Sequence, residues 1–214
     1  MNREDVLIVC ALKQETQGQL IEGSNNDWKV LYTGVGKVNA TYELTRYLSE
    51  KEFPKLVINY GTAGSKALPI GELVDCTKFV QRDMNVTQLD FMKLQTPYES
   101  PNSIVIRSTS EFNPIDKRQV CGTGDTFVDD VKKENNYVNV FDMEAYALAK
   151  VCRNFDVPFI SFKYITELST PRDVFTYDKK KLLHFVKWKN VYDVQMNYYM
   201  TKNEPLSIDE VTTN

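Results

Sequence analysis

The sequence predicts an α/β fold in which helices cover both faces of a central β-sheet. Short apolar runs of the kind buried in parallel sheets alternate along the chain with longer segments of helical periodicity. At least four predicted strands end in carboxylates or small-residue turns, at Glu15, 61–64, Glu144 and Glu167. Because ligands in such folds bind beyond the carboxyl ends of the strands, this pattern also predicts where a site would lie.

The strands are predicted from apolar runs that are too short for helices. They cover residues 6–11, 28–32, 56–60, 72–80, 103–107, 119–121, 138–141 and 158–165. The third of these strands runs into a predicted small-residue turn at 61–65, and the sixth runs into a glycine-punctuated loop at 122–128. The backbone N–H groups of the turn could face an anion or a polarised water, and the alternative is a tight turn without function.

Helices are predicted where apolar residues recur with helical spacing, from residue 12, at 37–50, up to about residue 155, and at 178–200. The second helix follows a turn containing Gly34 and Gly36, which resembles half of a dinucleotide-binding fingerprint. Asn39 occupies the position of the third glycine, which weakens that interpretation. We expect a single domain over residues 1–200 and a polar tail over 201–214.

Two carboxylates, Asp142 and Glu144, stand where a strand turns into an alanine-rich helix. One interpretation is an N-cap aspartate followed by a glutamate that suits the positive end of the helix dipole. The other is a pair of functional carboxylates in the crevice at the strand end. The single histidine, His184, lies in the last predicted helix, so carboxylates are the first candidates for acid–base chemistry.

Composition narrows the possible partners and the compartment. A net charge of −3 argues against nucleic acid or an anionic membrane as the main partner. The chain has no apolar run of membrane-spanning length and its first residues lack a signal-peptide pattern, so we expect a cytoplasmic protein. Four cysteines without metal-site spacing predict reduced thiols in or near the core, and they lie at positions 10, 76, 121 and 152.

Six segments together resemble the purine nucleoside phosphorylase superfamily, and within it the nucleosidases that hydrolyse methylthioadenosine and S-adenosylhomocysteine. They are ALKQE at 11–15, GVGKVNA at 34–40, NYGTAG at 59–64, TGDTFV at 123–128, DMEA at 142–145 and ITE at 165–167. The resemblance implies a three-layer fold around a mixed, twisted sheet and hydrolysis of a 5′-substituted adenine nucleoside. It also implies a homodimer, no cofactor or metal, and a place in methionine salvage.

The resemblance assigns the chemistry to three carboxylates. Glu15 matches the base that activates the attacking water, with the hydroxyl of Thr62 near that water. Glu144, with Met143, matches the pair under the ribose, where the carboxylate takes the sugar hydroxyls. Glu167 matches the acid that delivers a proton to the purine. These roles suit an oxocarbenium-like transition state, which needs nearby negative charge, a base for the water and an acid for the leaving purine.

The resemblance also predicts the residues that contact the rest of the nucleoside. Phe127 matches the aromatic residue that stacks on the purine. The backbone of Val128 matches a backbone segment that recognises the edge of the base. Tyr177 falls where the family usually has a phenylalanine that closes over the 5′ substituent. The predicted substrate-binding set is completed by Leu12, Val35 and Lys163.

Two positions depart from the family pattern. The family usually has aspartate where this chain has Glu167, and arginine where it has Lys163. A glutamate is one methylene longer, and a displacement of about 1 Å can cost ~100-fold in rate. Lysine and arginine are not interchangeable at a structured polar site. We therefore expect a divergent nucleosidase, slower than its relatives or tuned to another purine.

Two alternatives remain open at this point. A phosphorylase of this superfamily holds phosphate through an arginine just before the Gly-Thr pair, where this chain has Asn59 and Tyr60, which favours water as the nucleophile. The other alternative is a non-catalytic nucleoside-binding relative, which the changes at Lys163 and Glu167 favour. The presence of Glu15, of Met143 with Glu144, and of Phe127 opposes it, because burying a carboxylate without a purpose costs free energy.

Overall fold

The structure, a computed structural model, describes residues 5–16, 29–99, 105–128 and 136–168, with only the backbone of Gln14, Thr16, Glu167 and Leu168. It confirms an α/β fold built on a mixed β-sheet. Within these residues, eight strands and three α-helices occur in the order β1 Val6–Cys10, α1 Lys13–Thr16, β2 Lys29–Tyr32, α2 Lys37–Glu50, β3 Leu56–Ser65, β4 Leu73–Gln81, β5 Ile106–Arg107, β6 Gln119–Thr123, β7 Val140–Asp142, α3 Ala145–Asn154 and β8 Phe159–Leu168, with a short 3-10 helix at Thr87–Leu89.

Five of the strands form a closed ring. Strand β8 pairs in parallel with β3 and antiparallel with β4, and β4 continues through β6 and β7 back to β3. Strands β1 and β2 extend the sheet from β3, and β5 adds to β4. The carboxyl ends of β1 and β7 and the middle of β3 are thereby brought to one region of the sheet.

The helices α2 and α3 pack together on one face of the sheet. Helix α2 buries three residues at i, i+4 spacing, Ala40, Leu44 and Leu48, and the polar residues between them stay outward. Helix α3 is apolar almost all round and is buried along most of its length, which fits a helix enclosed by α2 and the sheet. The predicted helix at 178–200, the tail at 201–214 and His184 lie outside the described residues.

The small-residue turn predicted at 61–65 is wrong, because these residues continue strand β3 to Ser65. Their backbone is paired on both sides, with β8 along the whole stretch and with β7 at its end. Small side chains allow these neighbouring strands to approach closely. The loop predicted at 122–128 likewise begins later, since Gly122 and Thr123 belong to β6.

The four cysteines are all buried and free, as the sequence predicted. None of the helices within the described ranges combines the length and the apolar character that crossing a membrane requires.

Candidate active site

The candidate site lies where β1, β3, β7 and β8 meet. The short helix α1 supplies Glu15 directly after β1, and β3 presents Thr62 beside it. Glu144 stands between β7 and α3, and Lys163 lies on β8 opposite Gly61 of β3. The structure therefore brings together four of the residues that the sequence assigned to the site, although they are far apart in the chain.

Glu15 is held by four donors and is 5% exposed. Its Oε2 accepts hydrogen bonds from the backbone N–H groups of Ala11 and Leu12, at 3.1 and 3.0 Å. Its Oε1 accepts from the N–H and the hydroxyl of Thr62, at 2.9 and 3.1 Å. A carboxylate has about four lone-pair positions, so all of them are occupied. The hydroxyl is the one donor that can rotate away, which would leave a position on Oε1 for another donor such as water.

Gly61 lies close to both Glu15 and Lys163. A Cβ atom at this position would lie 3.1 Å from Glu15 Oε1 and 3.4 Å from Lys163 Nζ. The first distance is tighter than ordinary van der Waals contact, and Glu15 is already fixed by its four donors. A side chain here would press against a carboxylate that its donors hold in place, so close packing in the site favours glycine.

Glu144 is a buried carboxylate with a raised pKa. It is 8% exposed, and its Oε1 accepts a hydrogen bond of 2.8 Å from the N–H of Gly36. Gly36 adopts φ +95, which L side chains rarely adopt, so the glycine lets this N–H reach the carboxylate. Burial, together with the charge of Asp142, raises the pKa of Glu144 to about 7, although Lys163 and the Gly36 N–H act in the opposite direction.

A buried ion pair, Lys163 with Asp142, lies next to the two site carboxylates. Lys163 Nζ lies 2.8 Å from Asp142 Oδ2, and both side chains are 1% exposed. Burial alone would lower the pKa of Lys163, but the carboxylate of Asp142 outweighs it and raises that pKa. Burial alone would raise the pKa of Asp142, but the charge of Lys163 and the donors around the carboxylate lower it. Both groups are therefore charged at neutral pH.

The predicted base-binding residues lie on the loop after β6. Phe127 is 68% exposed, whereas Val128 is 8% exposed and packs in the core. Arg82 lies under this loop, and its guanidinium donates to the carbonyl oxygen of Thr126. The loop is also joined to the start of α2, because the N–H of Lys37 donates to Asp125 Oδ1 at 2.9 Å. The stacking face predicted for Phe127 is thus accessible from outside.

The remaining predicted residues have mixed outcomes. Leu12 and Val35 are 38% and 42% exposed; the N–H of Leu12 donates to Glu15, and Val35 precedes Gly36, whose N–H donates to Glu144. Met143 is half-buried between β7 and α3. The backbone of Glu167 pairs with Gly64 in the sheet, but its side chain is outside the described part of the chain, as is all of Tyr177.

Sequence reasoning missed the partner of Lys163. It treated Asp142 as a helix cap or as one of a carboxylate pair, and it assigned Lys163 to substrate binding. The signal was a single lysine within the apolar strand FISFKYI, because a buried lysine requires a carboxylate partner. Within the described ranges, no group of three or more histidine, cysteine, aspartate or glutamate side chains is arranged to hold a metal ion.

Comparison with known sequences identifies similar proteins. The profile of the phosphorylase superfamily matches residues 16–182. Two similar proteins carry the name 5′-methylthioadenosine/S-adenosylhomocysteine nucleosidase. The protein from Marinomonas sp. (strain MWYL1) is 28% identical over 191 residues, which cover 78% of this chain and 82% of that protein. The protein from Bacillus velezensis is 31% identical over 167 residues, which cover 70% and 72%.

Solved structures from Helicobacter pylori share the fold. A mutant of its 5′-methylthioadenosine/S-adenosylhomocysteine nucleosidase, with 5′-methylthioadenosine in the active site, superposes with a TM-score of 0.75 at 21% identity, covering 90% of this chain and 99% of that one. Its futalosine hydrolase superposes with a TM-score of 0.73 at 21% identity, covering 87% and 95%. At this identity the likeness concerns the fold.

Proposed function

This chain belongs to the phosphorylase superfamily, and from that premise we propose that it hydrolyses the N-glycosidic bond of a 5′-substituted adenine nucleoside. The observation that carries the proposal is the pair of buried carboxylates, Glu15 and Glu144, with the hydroxyl of Thr62 on the first of them. Proteins named for methylthioadenosine and S-adenosylhomocysteine are similar over most of the chain, which supports these two nucleosides as substrates.

The proposed chemistry begins with a water molecule that takes the place of the Thr62 hydroxyl at Glu15 Oε1. Glu15 accepts a proton from this water as its oxygen attacks C1′ of the sugar. Glu144 accepts hydrogen bonds from the sugar hydroxyls, and its negative charge stabilises the oxocarbenium-like transition state. The ionised form of Glu144 is the stronger acceptor, so this role predicts a rate that rises with pH through about 7.

Residues on the opposite side of the site bind and protonate the leaving purine in this proposal. In the proposal, the electrons of the broken C1′–N9 bond stay with the purine, which takes a proton at N7 from Glu167. Phe127 stacks on the base, and the backbone of Val128 contacts its edge. The exposed ring of Phe127 supports this role, because an accessible aromatic face is what a purine needs for stacking.

Water, not phosphate, is the proposed nucleophile. Asn59 stands where a phosphorylase would keep its phosphate-binding arginine, and it is 2% exposed. Its amide donates to the carbonyl oxygen of Val9 at 3.1 Å and accepts from the hydroxyl of Ser161 at 2.7 Å. The side chain therefore joins β3 to its neighbours inside the sheet and offers nothing to an anion. The neighbouring cation, Lys163, is already paired with Asp142.

We also propose a homodimer that acts in the cytoplasm, in the salvage of the methylthio nucleoside formed from methionine-derived cofactors. Exposed apolar residues on α2, Val38 and Tyr42 at 78% and 63% exposure, support a contact between copies. Light scattering after gel filtration tests the oligomeric state, and a monomer at micromolar concentration would contradict this part.

The test of the function is purine release from methylthioadenosine, S-adenosylhomocysteine and 5′-deoxyadenosine, with and without phosphate. We expect adenine and a free reducing sugar in phosphate-free buffer, at a rate that phosphate does not raise. The Glu15→Gln variant, purified in the same way, controls for contaminating nucleosidase. Formation of a sugar 1-phosphate only when phosphate is present would identify a phosphorylase. Binding of the nucleosides without any release would identify a non-catalytic relative.

A further inference from the structure

Lys163 is an isolated cation inside an apolar strand. Its neighbours on β8, Phe162, Tyr164 and Ile165, are all buried, and its own side chain is 1% exposed. Burial of an ammonium group is costly unless the charge is paired and hydrogen-bonded. The position is therefore maintained by a specific partner, and that partner is Asp142.

Asp142 is itself held more firmly than an ion pair alone requires. Its Oδ1 accepts a hydrogen bond of 2.6 Å from the hydroxyl of Thr123, which in turn accepts from the N–H of Tyr146. Its Oδ2 accepts from the N–H of Ala145 at 2.8 Å, in addition to Lys163. Two elements, β6 and the start of α3, thus fix the carboxylate that fixes the ammonium.

The ammonium is placed against the site. The position of a Cβ on Gly61 is 3.4 Å from Lys163 Nζ and 3.1 Å from Glu15 Oε1, so both charged groups lie close to the same point beside this glycine. An ammonium group has three N–H donors, and in the described part of the chain Asp142 is the acceptor paired with it. Lys163 also acts electrostatically on Glu144.

Resting on the hydrolytic function proposed above, we propose that Asp142 is a positioning residue for the reaction. It anchors the ammonium of Lys163 beside Gly61 and thereby sets the electrostatic environment of Glu15 and Glu144. A merely structural ion pair would fix the sheet without affecting these two carboxylates.

The charged and titratable groups around Glu144 make this distinction measurable. The charges of Asp142 on β7, Lys163 on β8 and Glu15 on α1 act on Glu144, whereas Cys121 of β6 and Cys10 of β1 lie near Lys163. In the Asp142→Asn variant, Glu144 loses the negative charge of Asp142 and keeps the positive charge of Lys163. The pKa of Glu144 must then fall, and the acid limb of the pH–rate profile must move to lower pH.

The experiment compares the wild type with Asp142→Asn, with the double variant Asp142→Asn/Lys163→Met, and with Lys163→Arg. We expect kcat of Asp142→Asn to fall about tenfold or more, with a smaller change in KM and an acid limb lower by roughly half a pH unit or more. The double variant removes both members of the buried ion pair and leaves neither of them unpaired, so it should fold and yet stay slow. Lys163→Arg keeps the cation and should retain more activity than the double variant.

A matched control is Asp5→Asn, which breaks the exposed pair between Asp5 and Lys55 and should leave kcat and the pH profile unchanged. A double variant that folds with the kcat and the acid limb of the wild type would overturn the proposal, because the pair would then be structural only. So would an Asp142→Asn variant that loses stability without any change in the acid limb.

A second readout separates this proposal from the hydrolytic function. The pH dependence of Tm in substrate-free protein reports the ionisation of Glu144 and needs no turnover. In Asp142→Asn the loss of stability with rising pH should end at a lower pH than in the wild type. If Tm of Asp142→Asn depends on pH in the same way as Tm of the wild type, the effect of Asp142 on Glu144 is refuted, even if the enzyme is active. If the pH dependence of Tm shifts to lower pH but no nucleoside is cleaved, the hydrolytic function is refuted and the electrostatic effect of Asp142 on Glu144 remains supported.

Discussion

The two sides of the site are built in different ways. On the proposed sugar side, Glu15 and Glu144 are buried, and backbone N–H groups of the surrounding strands and turns hold them. On the proposed base side, Phe127 stands on a loop with most of its side chain exposed, and Arg82 donates a hydrogen bond to the same loop. The fold therefore fixes the two carboxylates in advance, whereas the aromatic face of Phe127 is left open for the base that we propose to bind there.

Glu15→Gln should have the largest effect, because it removes the proposed base from the preorganised side. We expect kcat to fall by about 10²–10⁴-fold with little change in KM. Steady-state kinetics on methylthioadenosine measure both constants. Glu43→Gln, which breaks an exposed pair with Arg46, is the matched control and should behave like the wild type. Near-normal turnover of Glu15→Gln would mean that the water is activated elsewhere.

Glu144→Gln should lower both binding and rate, because contacts with the sugar hydroxyls act in the ground state and in the transition state. We expect kcat/KM to fall by roughly 10–100-fold, with KM increased and kcat decreased. In the wild type, kcat/KM should rise with pH through about 7, as the carboxyl of Glu144 ionises. In Glu144→Gln, kcat/KM should no longer rise with pH through about 7. If the rise persists in the variant, it reports the ionisation of another group.

The same variant should affect stability in a pH-dependent way. The pKa of Glu144 is raised from 4.5 to about 7 by folding, so its stabilising contribution is complete below about 4.5 and is lost as pH rises through about 7. Glutamine cannot ionise, so the variant does not lose this stability as the pH rises. We therefore expect Glu144→Gln to gain in Tm relative to the wild type between about pH 5 and pH 8. A Tm difference that does not vary with pH would contradict the raised pKa.

Phe127→Ala tests the open side. Stacking of a base on an aromatic ring contributes about 1–3 kcal/mol, which corresponds to roughly 5–150-fold in affinity. We expect the change mainly in KM, with kcat altered less, because the ring contacts the base before and during the reaction. Phe127→Tyr retains the aromatic face and should remain close to the wild type. A large loss of kcat at unchanged KM would place Phe127 among the preorganised groups instead.

The smallest effect should come from Asp83→Asn. Lys37 pairs with Asp83 and lies near Asp125, and these contacts join the start of α2 to the base-side loop. The groups are partly exposed, so the pair contributes little, and salt screens it. We expect KM to rise by no more than about threefold at low salt, with the difference lost at high salt. A salt-independent effect would show that the contact acts through packing.

The sequence alone predicted most of the strands and the strand-end positions of Glu15 and Glu144, because apolar runs and the residues that follow them are local patterns. The start and end of α2 also agreed closely with the sequence. It failed at 61–65, where the small residues looked like a turn but are held in β3 by β7 and β8. It also failed to pair Lys163 with Asp142. Both errors concern long-range strand pairing, which no local pattern contains.

The position of β8 has a consequence for the order of folding. This strand comes last among the described elements, yet it lies inside the ring between β3 and β4. The ring therefore cannot close until β8 is inserted, and contacts between such distant parts of a chain form slowly. Strand β8 also brings Lys163 to Asp142. During refolding, nucleoside cleavage should accordingly appear with the final kinetic phase and not with the earlier formation of helices.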